Sequence, residues 1–135
     1  MRVALGTDEL TPLVEEIRRH LEGGGHEVDL VAAPEPWPRA GRLVGEAVAS
    51  GASQAGVVCC WTGTGVSIAA NKVPGVRAAL CVDSATAAGA RKWNDANVLA
   101  LSLRLTSPEV AHEILDAFMQ TSADPNEAEM LADLN

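Results

Sequence analysis

Tyrosine is absent from this 135-residue chain, and rings are scarce: Trp37, Trp61, Trp93 and Phe118 are all it has. A core so poor in aromatics must be filled by Val, Leu, Ile and Ala. No apolar run approaches the roughly 20 residues that span a bilayer. The first run, Val3-Ala4-Leu5, meets Gly6-Thr7-Asp8 at once, so no secretory h-region and no membrane association are expected. Positive charge is short too: 18 acids against 10 bases leave a net charge of −8. That argues against non-specific binding to nucleic acid or anionic membranes, which needs basic surface. The cysteines are Cys59, Cys60 and Cys81. An odd count with two adjacent is a poor disulfide framework, because neighbours on a strand point to opposite faces. A reducing cytoplasm fits best. No Cys-x-x-Cys or His-x-x-x-His spacing occurs, so neither a metal nor another cofactor is expected.

What is present is a 47% apolar, 21% charged chain of one domain's length. Short apolar runs alternate with helical patterns. Arg2–Gly6 reads as a strand, and Pro12–Glu22 as a helix that Thr11 would cap and Gly23-Gly24-Gly25 would stop. Glu27–Val31 is a second strand. Residues 33–38 hold three prolines and read as a loop. Arg39–Ser50 reads as a helix. Ala55–Cys60 is continuously apolar, the mark of a central parallel strand. Thr62–Val66 is a Gly-rich turn before a short helix at Ser67–Lys72. Ala78–Val82, Ser84–Lys92, Val98–Leu101 and Glu109–Gln120 complete the alternation. The last 15 residues carry four acids and no base, and are expected to fray or swing. Five such alternations imply an α/β fold with a parallel sheet, whose ligands bind beyond the carboxyl ends of the strands. The segments expected there are Gly6–Thr11, Ala33–Arg39, Cys60–Ser67, Asp83–Thr86, Trp93–Asn97 and Ser102–Leu105.

The segment from Cys60 to Cys81, with its Thr62-Gly63-Thr64-Gly65-Val66-Ser67 turn, resembles the ribose-5-phosphate isomerase B and galactose-6-phosphate isomerase family. Asn94-Asp95-Ala96-Asn97-Val98-Leu99-Ala100-Leu101, Gly6-Thr7-Asp8 and Gly25-His26-Glu27-Val28 match it too. The resemblance runs from residue 1 to about 120, leaving 121–135 as an acidic tail. It implies a Rossmann-like three-layer α/β/α sandwich on a five-stranded parallel sheet. It also implies a homodimer, with a tetramer left open, whose sites lie at the dimer interface.

The family interconverts an aldose and a ketose through an enediolate. A base moves a proton between neighbouring carbons, and hydrogen-bond donors hold the oxyanion. The resemblance makes Cys60 the base; the glutamate that serves in the other branch is Val66 here. Thr62 would orient the thiol, and the amides of Gly63, Thr64, Gly65, Val66 and Ser67 would form an anion nest. The competing reading of Cys60, and the preferred one for Cys59 and Cys81, is a small buried hydrophobe. Asp8 matches the family aspartate that holds sugar hydroxyls, with a helix cap as its alternative. Asn94 and Arg104 are expected to reach ligand, Asn71 to brace the Gly-rich loop and Arg77 to form a structural ion pair. His20, His26 and His112 are expected at the surface or in packing.

The departures from the family matter as much. Glu9 and Trp93 stand where it has histidines, and an indole N–H cannot take a proton. The C-terminal arginines that bind phosphate in the family are missing, and Glu9 adds negative charge. Trp37 and Trp61 replace a tyrosine and a glycine. Placed on loops at the strand ends, the three tryptophans would pack an interface or wall a more apolar pocket. Two readings follow. One is an isomerase acting on a sugar or sugar-like substrate without the usual phosphate recognition. The other is a silent relative that binds a small molecule or a partner protein.

Overall fold

The structure, a computed structural model, describes residues 1–134. Five strands, β1 (Arg2–Thr7), β2 (Glu27–Ala32), β3 (Ala55–Cys60), β4 (Ala78–Leu80) and β5 (Val98–Ser102), form one sheet in the order β2-β1-β3-β5-β4. Every neighbouring pair is parallel. The crossovers are α1 (Pro12–Gly23), α2 (Trp37–Ala49), α3 (Thr64–Asn71) and α4 (Ser84–Asn94). After β5 come α5 (Pro108–Gln120), a 3-10 turn at Pro125–Glu127 and α6 (Ala128–Ala132). This is the parallel α/β fold expected from the alternation, in the three-layer sandwich that the resemblance implies.

Period-2 alternation divides the core between the two faces. Val3, Leu5, Val57, Cys59, Leu99 and Leu101 meet α1, α4 and α5 on one face. Ala4, Val58, Cys60, Val98 and Ala100 meet α2 and α3 on the other. The adjacent cysteines therefore belong to different layers. All three cysteines are free and buried.

The α1–α5 contact is locked by two imidazoles stacked at 4.1 Å. His20 Nε2 lies 2.7 Å from Asp116 Oδ1, and His112 Nε2 lies 2.9 Å from Glu16 Oε1. These histidines pack, as expected. Arg77 is structural as well, donating through Nε to the Asp95 carbonyl and pairing with its carboxylate at 3.2 Å.

Several boundaries differ from the expectation. Residues 33–38 are not wholly loop, because α2 begins at Trp37 with Pro38 in its first turn. Proline is tolerated there, since a first-turn N–H has no helical partner to lose. The helix after β3 starts at Thr64, so Gly65 and Val66 are helical. β4 stops at Leu80 rather than Val82. Thr11 stands at the N-cap of α1, but its hydroxyl makes no capping bond. The acidic tail carries structure: Asp124 N–H donates to the Lys92 carbonyl at 2.8 Å before the short α6.

The largest correction concerns Trp93–Asn97. Trp93 and Asn94 are the last residues of α4, not part of a loop at the carboxyl ends. A crossover helix runs back against its strands, so the segment before β5 lies at their amino ends. Five strand residues at about 3.3 Å each separate the two ends of the sheet by roughly 15 Å.

Candidate active site

Strand register assembles the rim beyond the carboxyl ends. Thr7 pairs with Cys59, which sets Asp8 beside Cys60 on one flank. Cys60 pairs with Ser102 on the other. Asp8 N–H donates to the Cys59 carbonyl at 3.3 Å, carrying the β1–β3 ladder one residue further. Thr7 Oγ1 donates to the Glu9 carbonyl at 2.6 Å and accepts the Glu9 N–H at 3.2 Å, which fixes the turn through Asp8.

Asp8 does not cap a helix; that position belongs to Thr11. Its Oδ1 is out of water and has no donor among the described residues. Burial pushes the carboxyl above its ordinary range, and the neighbouring Glu9 charge adds to the shift. A shielded carboxylate oxygen of this kind is suited to accept from a ligand hydroxyl.

The turn after Cys60 needs glycine at one point. Gly63 has φ +78, and a Cβ there would lie 2.6 Å from Leu80 Cδ1 and 2.9 Å from the Leu101 carbonyl carbon. The turn thus packs against the ends of β4 and β5, and α3 starts at the rim. No side chain caps α3. The amides of Gly65 and Val66, in its first turn, have no helical acceptor and carry the positive end of the helix dipole. Ser67 N–H donates to the Gly63 carbonyl at 3.3 Å, which removes it from the expected nest. The Val66 side chain is fully buried against the α2–α3 face, so only its amide faces the site.

Thr62 departs from the role expected of it. Its hydroxyl lies 2.6 Å from that of Thr64 and makes no bond to Cys60. Cys60 is 5% exposed, and Cys59 and Cys81 are 0%. Cys60 is therefore the thiol with access to the rim. Burial drives the Cys59 thiol up to about 12, with the Cys60 and Asp8 charges adding. Burial drives Cys81 to about 11.

Two of the three tryptophans join this rim. Trp61 follows Cys60 and is 60% exposed. Trp37 lies across α3, where a Cβ on Gly65 would fall 2.8 Å from its ring. Trp93 instead folds back over Gly89 of its own helix at the opposite end of the sheet, with Asn94. Arg104 follows β5 at the rim, and its N–H donates to the Trp61 carbonyl at 3.1 Å. Every other arginine pairs with a carboxylate; among the described residues Arg104 has none. Asn71 braces β4 rather than the Gly-rich loop: its amide donates to the Ala78 carbonyl at 3.0 Å and accepts the Ala78 N–H at 2.8 Å. Ser102, which the sequence reading did not single out, is buried at the centre of this rim. A hydroxyl ending the apolar run Val98–Leu101 was the available signal.

No group of three or more His, Cys, Asp or Glu side chains among the described residues is placed to hold a metal ion. No helix among them is long and apolar enough to cross a membrane.

At pH 8 a thiol at about 11 or 12 is almost entirely protonated, and alkylation requires the thiolate. We expect iodoacetamide to label Cys60 well before Cys81 and Cys59 in the folded protein, read by mass spectrometry of peptides. Equal labelling of all three would remove Cys60 from the site.

The Ribose/Galactose Isomerase family model matches residues 3–132. The galactose-6-phosphate isomerase subunit LacB of Clostridium acetobutylicum is 36% identical over 132 residues, covering 93% of this chain and 75% of its own. Ribose-5-phosphate isomerase B of Escherichia coli is 37% identical over 123 residues, covering 87% and 83%. The solved type B ribose 5-phosphate isomerase of Trypanosoma brucei superposes with a TM-score of 0.93 at 38% identity, covering 98% of this chain and 95% of that one. With a parallel sheet in common, and with the matched residues spanning both ends of it, this chain belongs to the ribose/galactose isomerase family.

Proposed function

We propose that this protein is an aldose–ketose isomerase that moves a proton between neighbouring carbons of a sugar or sugar-like substrate, with Cys60 as the base. The observation that carries the reading is the shielded, unpartnered Asp8 Oδ1 beside the end of β3. Asp8 accepts from a substrate hydroxyl and so holds the reacting carbons near Cys60. The thiolate takes the proton from the hydroxyl-bearing carbon and the thiol returns it to the former carbonyl carbon, while the hydroxyl proton passes from one oxygen to the other through the Asp8 carboxylate that accepts from it. Charge that develops on oxygen meets the Gly65 and Val66 amides and the α3 dipole. Thr62 and Thr64, bonded to each other, hold the turn that presents these amides. Trp37 and Trp61 offer apolar walls to the faces of the sugar. Arg104 supplies the rim's unpaired cation for an anionic or hydroxyl oxygen. We take residues 1–120 as the isomerase domain and 121–135 as an appended acidic arm.

The second reading, a silent binding relative, draws on the 5% exposure of Cys60 and on Trp93 in a histidine's place. Turnover separates the two. We expect D-ribose 5-phosphate to be turned over about 10²–10⁴-fold more slowly than a family enzyme with its acid–base histidine turns it over. Unphosphorylated aldoses should be converted at least as well. Cys60→Ser should abolish turnover and leave the fold intact. Full activity in the serine variant would discard Cys60 as base. Tight sugar binding with no conversion of any substrate would favour the silent relative.

Asn94 and Trp93 cannot join Cys60 within one chain, because they lie at the other end of the sheet. We infer a homodimer in which Asn94 of the partner subunit faces the rim. The exposure of Trp37 (46%) and Trp61 (60%) at the rim and of Trp93 (56%) at the other end of the sheet supports it, since a partner that brought the two ends together would cover all three rings. Free thiols and the acidic charge suit a cytoplasmic protein. Sedimentation equilibrium at micromolar concentration should return twice the 14.0 kDa chain mass. A monomer would overturn the shared site.

A further inference from the structure

Where the β3–β5 ladder ends, a buried hydroxyl takes over the pairing. Ser102, 1% exposed, stands opposite Cys60. Its Oγ donates to the Trp61 carbonyl at 3.0 Å and accepts the Leu105 N–H at 3.2 Å. The Leu103 N–H donates to the Cys60 carbonyl at 2.9 Å, and the Arg104 N–H to the Trp61 carbonyl at 3.1 Å. The Trp61 carbonyl thus accepts from both Ser102 and Arg104. Arg104 lies between the two backbone groups that the Ser102 hydroxyl ties together.

A strand can end without such a hydroxyl, and burying one is costly unless it is satisfied. Here it is satisfied in both directions, as donor and as acceptor. What it holds in place is the turn bearing the one arginine that has no carboxylate partner among the described residues. In a chain of 18 acids, a guanidinium left free at the rim has an anion to meet from outside the protein.

We propose that Ser102 is a positioning residue: it fixes the Arg104 turn against the Cys60–Trp61 strand end, so that the guanidinium meets an anionic oxygen of the ligand. This deepens the isomerase reading and rests on it only in naming that ligand a substrate. Without the hydroxyl, the Leu105 N–H loses its acceptor and the Trp61 carbonyl keeps one donor of two. The Leu103–Cys60 bond is untouched, so the sheet stays while the turn loosens. Threonine at 102 keeps the hydroxyl and should keep the function.

The test titrates inorganic phosphate into the full-length, nitrogen-15-labelled protein and follows the Arg104 Nε–Hε resonance. In the wild type that resonance should shift saturably. Ser102→Ala should weaken phosphate binding about three- to ten-fold, the scale of one hydrogen bond, with amide dispersion retained. Ser102→Thr should restore it. In Arg104→Ala, followed through the Gly65 and Val66 amide resonances, phosphate binding should weaken at least as much, and adding Ser102→Ala to that variant should weaken it no further. Should the alanine variant not fold, Ser102→Cys, of similar volume and a poor donor, carries the same comparison. Unchanged affinity in the alanine or cysteine variant would overturn the proposal. So would a further loss in the double variant, or a wild-type Arg104 resonance that phosphate does not move. Phosphate binding is read without turnover. Absence of isomerisation with phosphate binding intact therefore sinks the isomerase reading alone, and active enzyme blind to phosphate at Arg104 sinks this one alone.

Discussion

Parallel hydrogen bonding among β1, β3 and β5 is the constraint on which the site depends. The ladders end at Thr7 opposite Cys59 and at Cys60 opposite Ser102. That register brings a carboxylate, a thiol and a hydroxyl from three distant stretches of chain into one row. It also decides which of two adjacent cysteines reaches the rim. A slip of one residue would exchange their faces, turning Cys60 into the α1–α5 core and Cys59 toward the Gly-rich turn. The present register leaves Cys59 fully buried with its thiol driven up to about 12. Cys60 is left at the edge of the α2–α3 layer.

The small side chains of that layer carry the next step. Ala4, Ala32, Ala40, Ala70 and Ala100 fill it with little volume. α3 therefore packs closely enough for its first turn to meet the strand ends, anchored by the buried Val66 and the left-handed Gly63. The anion nest proposed there is thus a product of ordinary packing, and its charge would come from backbone dipoles rather than side chains. Acidic composition is compatible with that arrangement. Seven of the eight arginines are spent on ion pairs, and the eighth, Arg104, follows β5 at the rim.

The alternation of strand and helix was legible because each βαβ unit writes period 2 and period 3.6 in turn. Cys60 was legible as a strand end because Ala55–Cys60 is unbroken apolar sequence before a glycine turn. Legibility failed where a residue's role depends on a partner far along the chain. Prolines 34, 36 and 38 concealed a helix start, since proline breaks helices inside but begins them well. Trp93 looked like a rim residue by family likeness, yet the direction of α4 sends it to the amino end. Thr62 was read as a partner of Cys60 and pairs with Thr64 instead. Ser102 carried little signal because one of its partners, Trp61, lies 41 residues away in the chain, in the turn after β3.

In the proposed reaction the Cys60 thiol exchanges a proton with a carbon of the substrate. Proton NMR in D₂O tests it most directly, by following the carbon-bound hydrogens next to the carbonyl of a substrate that the protein interconverts. Deuterium should appear at that carbon with the wild-type protein and not above background with Cys60→Ser. Isomerisation that proceeds in the serine variant with undiminished deuterium exchange would contradict it.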